Sequence, residues 1–517
     1  MIEQMEKSIK SLFDVCWENK YLLLIAAGLT IFGASYSTGF DNVYWKFVVL
    51  IFGLSIIPIL ATSFFKTENV VFVTIVMMGS FFVIFSPVFD VLDEPAHFGR
   101  AVYISEGNFK LQNDNDKLQI SKDYDKLNKM TGYNGINRLD PKKNFFHTKL
   151  FSMKTDKNKQ SETKIKATRP YSTVMYLPSA FGIWLGKVLS NGNLGVMFYL
   201  GRFFNLLMYA IMAFFAVKMA GKWKMIIAVF SIQHLPVYIA ASFSQDAFFY
   251  GLCLLIAAKF IQLFDKKEAI TYKDVAVIGV LCGLMAFTKL PYIMLIGLML
   301  FIPIKRYESK KVYLSNFIAI ALIIVVGLLW TKYYSTLEPT DLPGSVDQSK
   351  QISHIISHPK AFLQSMLIGG TNTVLLLKQY FTFGWSYHVS DIAYALYLMF
   401  IGSVVFMYPR RLANKINPFF KLAIIGVSLG IILLTNFIMY LTFTGVGEPI
   451  IKGVQGRYFF GIFILLTFVF NLSEKLFTVD EFGRQPYFNE EKYNRIVLFV
   501  SILFLVWMCT MRVGAYY

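Results

Sequence analysis

The sequence predicts an all-α integral membrane protein, a multispanning helical bundle of about thirteen transmembrane helices with two long extracytoplasmic loops. Three observations carry this reading. Hydrophobic residues fill 56% of the 517 positions and charged residues only 16%, against about 25% charged in a soluble domain. Apolar runs of about 20 residues, the length that crosses a bilayer, recur along most of the chain. Lys and Arg gather in alternate short loops, where they orient a membrane protein.

The runs are read near 20–38, 43–65, 69–87, 194–216, 223–243, 246–264, 273–289, 291–305, 312–334, 391–408, 419–443, 456–473 and 495–513. The run from Tyr21 is followed at once by another with no small-residue cleavage site between them, which predicts a retained first span rather than a removed signal peptide. A cytoplasmic N-terminus puts Lys7, Lys10, Lys20, Lys218, Lys222, Lys224, Lys266, Lys267, Lys305, Arg306, Lys310, Lys311, Arg410, Arg411 and Lys415 at inner ends. Roughly twenty Lys/Arg then lie inside and fewer than ten outside in the short loops. The chain divides into N-terminal spans (1–87), a first outer loop expected to be catalytic (88–193), a central bundle (194–334), a second outer loop (335–390) and a C-terminal bundle (391–517). No internal repeat is evident.

The formal net charge of +18 suggests nucleic acid in a soluble protein, but here the excess sits in loops between spans, so no nucleic-acid partner is expected. Cys16, Cys253, Cys282 and Cys509 show no C-x-x-C spacing and read as small buried hydrophobes.

The informative residues are polar ones at the outer ends of spans. Asp93-Glu94-Pro95-Ala96-His97-Phe98-Gly99-Arg100 has the look of a helix start, with Pro in the first turn and acids beside it. A helix from Glu94 places Asp93, His97 and Arg100 on one face at i, i+4 and i+7. Capping by Asp93 and an interfacial role for Arg100 is the bland alternative. Within this segment His97 has no partner at His-x-x-x-His spacing, so the motif is not a zinc signature; no cofactor is indicated, and a divalent metal is the minority alternative. Asp246 in Ser244-Gln245-Asp246 either caps a helix or faces a site, and Lys289 either snorkels or binds. Gly453-Val454-Gln455-Gly456-Arg457-Tyr458 combines free backbone N–H groups with a guanidinium, a pattern that suits a phosphate. Arg202 lies within an apolar run with Asn205 one turn on, and so faces protein or a polar cavity. Together these residues suit a lipid whose charged head rests at the interface while its tail stays in the bilayer.

The Asp-Glu-Pro-x-His-Phe motif at 93–98, the Gly-x-Gln-Gly-Arg-Tyr motif at 453–458 and Tyr176-Leu177-Pro178-Ser179-Ala180-Phe181 resemble a domain-of-unknown-function family of bacterial polytopic membrane proteins. That family looks like a branch of the GT-C glycosyltransferases, the class of aminoarabinose and protein mannosyltransferases, and the likeness covers the chain from about residue 70 onward. The resemblance implies a GT-C-like fold in the cell membrane, an acidic general base in the first large outer loop, and inverting sugar transfer from a polyprenyl-phosphate donor. The acceptor would be an envelope glycan or lipid-linked saccharide, with membrane lipids as surroundings. Asp93 matches the catalytic acid, with Glu94 as neighbour or substitute. Arg457, Lys289 and Arg202 match cations that hold the donor phosphate. His97, Arg100, Asp246, Gln455 and Tyr458 would line the substrate site, and Trp385 and Tyr387 would stack on the sugar. One departure is that two spans, rather than one, precede the acidic loop. A lipid-linked glycan flippase, a polysaccharide polymerase or a non-catalytic scaffold are the rival functions; a flippase predicts ionisable residues near the bilayer midplane or a repeat.

Overall fold

The computed structural model describes residues 14–39, 41, 43–91, 93–111, 117–118, 148–155, 161–162, 165–337, 345–380, 383, 390–472 and 489–514. The helices in chain order are α1 (Lys20–Thr38), α2 (Trp45–Ala61), α3 (Thr67–Phe85), α4 (Glu94–Ser105), the four-residue α5 (Thr148–Phe151), α6 (Leu177–Leu189), α7 (Leu194–Met219), α8 (Lys224–Ser231), α9 (His234–Ala240) and α10 (Asp246–Asp265). They continue with α11 (Tyr272–Met285), a 3-10 helix Leu290–Phe301, α12 (Lys310–Ser335), α13 (Gln348–Ser357), α14 (Pro359–Tyr380), α15 (Asp391–Met407), α16 (Pro418–Thr442), a 3-10 turn Gly456–Phe459, α17 (Phe460–Phe470) and α18 (Glu490–Gly514). Among the described residues the one sheet is a two-residue ladder pairing Lys117–Leu118 with Ser161–Glu162.

Among the described residues six helices, α3, α7, α10, α12, α16 and α18, are long and apolar enough to cross a membrane, and α8 with α9 passes the same test as a pair bent by 67°. Six more apolar helices are shorter, 10–17 residues each. The single span expected at 223–243 is therefore broken. Pro236 explains the break: it has no N–H to donate, and its ring would collide with the carbonyl four residues back, so the chain restarts at His234. The run at 291–305 folds as a 3-10 helix, whose steeper rise stretches its 12 residues over about 24 Å.

Local signals set the helix starts. Asn193 accepts from the backbone N–H groups of Gly195 and Val196, at 3.0 and 3.2 Å, and starts α7. Asn417 caps α16 through Phe420 at 2.8 Å, with Pro418 following. Close packing depends on glycine where α6 meets α7. A Cβ at Gly186 would lie 2.7 Å from the Cα of Met197, and one at Gly182 would collide with the Leu200 carbonyl. This four-residue spacing of small residues lets two backbones touch. The packed α6–α7 pair supports α4, and beneath α4 the rings of Phe89, Phe98, Phe198 and Phe243 interlock at centroid distances of 4.9 to 5.9 Å. Aromatic pairs at this spacing add to simple burial.

At the far end of α10, Asp274 receives Lys259 at 2.7 Å and Lys266 at 2.5 Å and completes a capping box with Thr271. That charge cluster lies about 30 Å along α10 from Asp246, at the opposite end of the helix.

Candidate functional site

The site is built on the short connection between α3 and α4. Phe89 and Asp93 both take a left-handed backbone with φ of 60°. For a phenylalanine this is costly, so the surroundings must hold it. Arg202 supplies much of the hold. It is fully buried, and all five of its N–H groups are used. Nε and Nη2 donate to the two Glu94 oxygens at 2.8 and 2.7 Å, Nη1 to the carbonyls of Val83 and Ser86 at 3.2 and 3.0 Å, and Nη2 again to the Pro87 carbonyl at 2.9 Å. The Phe243 amide donates to Glu94 Oε1 at 3.3 Å. Asp90, also without exposed surface, accepts from Tyr238 Oη at 2.5 Å and from Arg512 on α18. The connection is thus pinned to α7, α9 and α18.

On this scaffold Asp93 stands at the N-cap position of α4, yet its side chain caps nothing. The carboxylate is 50% exposed and lies 3.8 Å from Arg457 Nη2. Arg457 is only 6% exposed and stands in the 3-10 turn before α17, with Nε 3.5 Å from Asp246 Oδ2. Asp246, at the first position of α10, receives Lys289 Nζ at 3.2 Å and Gln245 Nε2 at 2.5 Å. Lys289 lies over the Tyr458 ring, 3.8 Å from its centroid, a cation–π contact that fixes the ammonium. Asn205 places Asp246 from behind, donating to the carbonyls of Ala240, Ser242 and Ser244 at 3.3, 2.7 and 3.1 Å. Gly456 admits α14 against the turn: its amide donates to Gln379 Oε1 at 3.2 Å, and a Cβ there would strike the Leu376 carbonyl.

Two buried arginines contrast. Arg202 has every donor filled, whereas Arg457 touches its carboxylates at 3.5 and 3.8 Å and its buried Nε has no hydrogen bond. The carbonyl oxygens of Gln245 and Gln455 and the hydroxyl of Tyr250 are likewise buried without partners. Buried polar atoms in folded proteins are rarely left unpaired. Here they group around Asp246 and Arg457.

His97 lies one turn along α4 from Asp93. Its Nδ1 is 2.7 Å from Tyr176 Oη, and its ring stacks on Tyr176 at 5.7 Å and leans on Tyr171 at 5.8 Å. Burial lowers its pKa to about 4, against the opposing pull of Asp93 and Asp246, so the imidazole is neutral at pH 7. The unfolded chain takes up this proton near pH 6.5, and the folded protein only near 4. The stability held by the neutral ring is therefore complete above about pH 6.5 and is lost as the pH falls toward 4, by about 3 kcal/mol. Melting curves between pH 7.5 and 4.5 should show a flatter acid limb for His97→Gln than for the native protein.

Of the residues expected from sequence, the fold brings Asp93, His97, Asp246, Lys289, Gln455, Arg457 and Tyr458 to one end of the bundle. It separates two others from them. Glu94, expected as a second catalytic carboxylate, has both oxygens on Arg202 and no exposed surface. Arg202, expected on the donor phosphate, has no donor left to give. Both belong to the scaffold, because a buried bidentate pair with every group satisfied offers nothing to a substrate. Arg100 sits two turns along α4, donating through Nη2 to Thr173 Oγ1 at 2.9 Å. Trp385 and Tyr387 lie outside the described residues. Sequence reasoning did not single out Asp90, Arg512, Tyr171, Tyr238 or Tyr250. The one available signal was Arg512, a cation at the end of the last apolar run. A void lined by Val229, Ile232, His234, Tyr397, Phe400, Ser501, Phe504 and Leu505 is mostly apolar and shares no residue with the charged group.

Residues 76–466 match the family described as predicted membrane protein (DUF2142), and the chain belongs to that family. No curated protein and no solved structure matches it.

Proposed function

We propose that this DUF2142 protein is an inverting membrane glycosyltransferase that moves a sugar from a polyprenyl-phosphate donor to a hydroxyl of an extracytoplasmic envelope saccharide. The observation that carries this reading is Arg457, a buried guanidinium only loosely matched by carboxylates and set 3.8 Å from a half-exposed aspartate that caps nothing. A lipid phosphate completes the hydrogen bonding of Arg457 and Lys289, with Asp246 holding the two cations in place. The shorter apolar helices are read as further membrane crossings, giving a GT-C-like bundle of about thirteen spans. The Lys/Arg bias then faces the Asp93 end of the bundle outward.

In the reaction, the Asp93 carboxylate takes the proton of the acceptor hydroxyl. The freed oxygen lone pair forms a bond to the anomeric carbon from the face opposite the phosphate, which inverts the centre. The bond from that carbon to the phosphate oxygen breaks, and its electron pair leaves with the lipid phosphate. Arg457 and Lys289 meet the charge as it develops. Asp93 then returns its proton to water.

Arg457→Gln tests the phosphate grip. In lipid nanodiscs, native mass spectrometry should show polyprenyl phosphate bound by the native protein and bound about 10–100-fold more weakly by the variant. Uncharged polyprenol should bind both alike. Equal binding of the phosphate by both proteins contradicts the proposal.

A further inference from the structure

Arg100 is the one buried arginine of the α4 region that the proposed reaction leaves without a task. It is 3% exposed, yet beyond its bond to Thr173 both Nε and Nη1 lack a hydrogen-bond partner. Among the described residues, the titratable groups around it are the hydroxyls of Tyr176, Tyr103 and Tyr333, with no carboxylate among them. Its guanidinium lies 5.7 Å from the centroid of the Tyr103 ring. Lys110 adds a second cation nearby, 5.7 Å from the centroid of the Tyr333 ring. Thr173 is itself fixed, donating to the Phe109 carbonyl at 2.5 Å, so its hydroxyl orients Arg100 rather than neutralising it.

The other buried arginines of this end show what is missing. Arg202 has Glu94, Arg512 has Asp90, and Arg457 has Asp93 and Asp246. A guanidinium taken out of water without a counter-ion is expensive, and such a charge is kept where a ligand supplies the anion. Arg100 is seven residues from Asp93 on the same helix face, two turns and about 10 Å along the axis. A group held at Arg100 therefore lies within reach of a molecule whose hydroxyl is at Asp93, and apart from Arg457 and Lys289.

We infer that Arg100, oriented by Thr173 and walled by Tyr103, Tyr176 and Tyr333, is a second anion subsite that takes a carboxylate or phosphate carried by the acceptor saccharide. The inference rests on the transferase reading and adds the acceptor's chemical class, an acidic sugar. The site would thus hold two anions: the donor's lipid phosphate at Arg457 and Lys289, and the acceptor's acid at Arg100. The tyrosine rings supply flat apolar surfaces for the sugar itself.

The test uses the full chain in nanodiscs with three probes, glucose, glucuronic acid and glucose 6-phosphate, read by saturation-transfer NMR. The native protein should bind at least one acidic probe in preference to glucose, and whichever is preferred separates a carboxylate from a phosphate acceptor. Arg100→Gln should weaken that binding about 10–100-fold, and Arg100→Lys less than this. Inorganic phosphate should displace the probe from the native protein. The melting temperature of Arg100→Gln should be unchanged or higher, because the substitution removes an unpaired buried charge. Equal binding of glucose and both acids, or full acid binding by Arg100→Gln, overturns the inference. A fall in stability with acid binding intact assigns Arg100 to the scaffold and also overturns it. Polyprenyl-phosphate binding on the same samples keeps the two claims apart: its loss from the native protein sinks the transferase reading, whereas its retention with no acid preference sinks this inference alone.

Discussion

On the proposed transferase reaction, Asp93→Asn should remove sugar transfer and leave the fold intact. The expected fall in turnover is about 10²–10⁴, the range for loss of a positioned general base. Asparagine is the informative replacement because the backbone at 93 is left-handed, with φ of 60°, a conformation that asparagine adopts readily and most other residues do not. The change therefore removes the charge without straining the turn. The side chain makes no capping bond and is half exposed, so little stability depends on it. Melting of the variant should stay within about 0.5 kcal/mol of the native protein, as for a surface substitution. Transfer at the native rate by the folded variant would remove Asp93 from the chemistry.

Glu94→Gln gives the reverse result, one residue away. Glu94 and Arg202 are both fully buried and joined by two bonds of 2.7 and 2.8 Å. Neutralising one member strands the other charge away from water, at a cost of about 3–5 kcal/mol. The same guanidinium holds the carbonyls of Val83, Ser86 and Pro87, so the left-handed connection loosens as well. The expected outcome is a protein that unfolds at markedly lower temperature, with activity falling in step with the folded fraction. Replacing the whole pair, Glu94→Gln with Arg202→Met, should recover part of the loss because no lone charge remains. A Glu94→Gln protein of native stability and no activity would instead make Glu94 a reacting group.

These two neighbours mark where sequence reading ends. The pair Asp93-Glu94 beside Pro95 identifies a helix start at the end of a span, and that is where α4 begins. One step along a helix turns the side chain by about 100°, and the left-handed backbone at Asp93 turns it further, so these adjacent acids face different surroundings. Sequence alone does not say which carboxylate faces inward. Arginines show the same limit. Arg100, Arg202, Arg457 and Arg512 are alike as letters, and what separates them is the partner each finds, which for Arg512 is Asp90, 422 positions away. The meeting of Asp93, Asp246, Lys289 and Arg457 was legible because all four stand at span ends that an alternating topology brings to one side. The break at 232–233 was less so, because an apolar run reads as continuous even where Pro236 stops the preceding helix from running on through it.

The most direct test of the central claim is release of free polyprenyl phosphate by the purified protein in nanodiscs, given a panel of radiolabelled polyprenyl-phosphate sugars with an acidic saccharide acceptor. The account predicts release from at least one donor by the native protein, and release reduced at least 100-fold by Asp93→Asn, within the range for a lost general base. No release from any donor in the panel, or the same release from the native protein and Asp93→Asn, would contradict it.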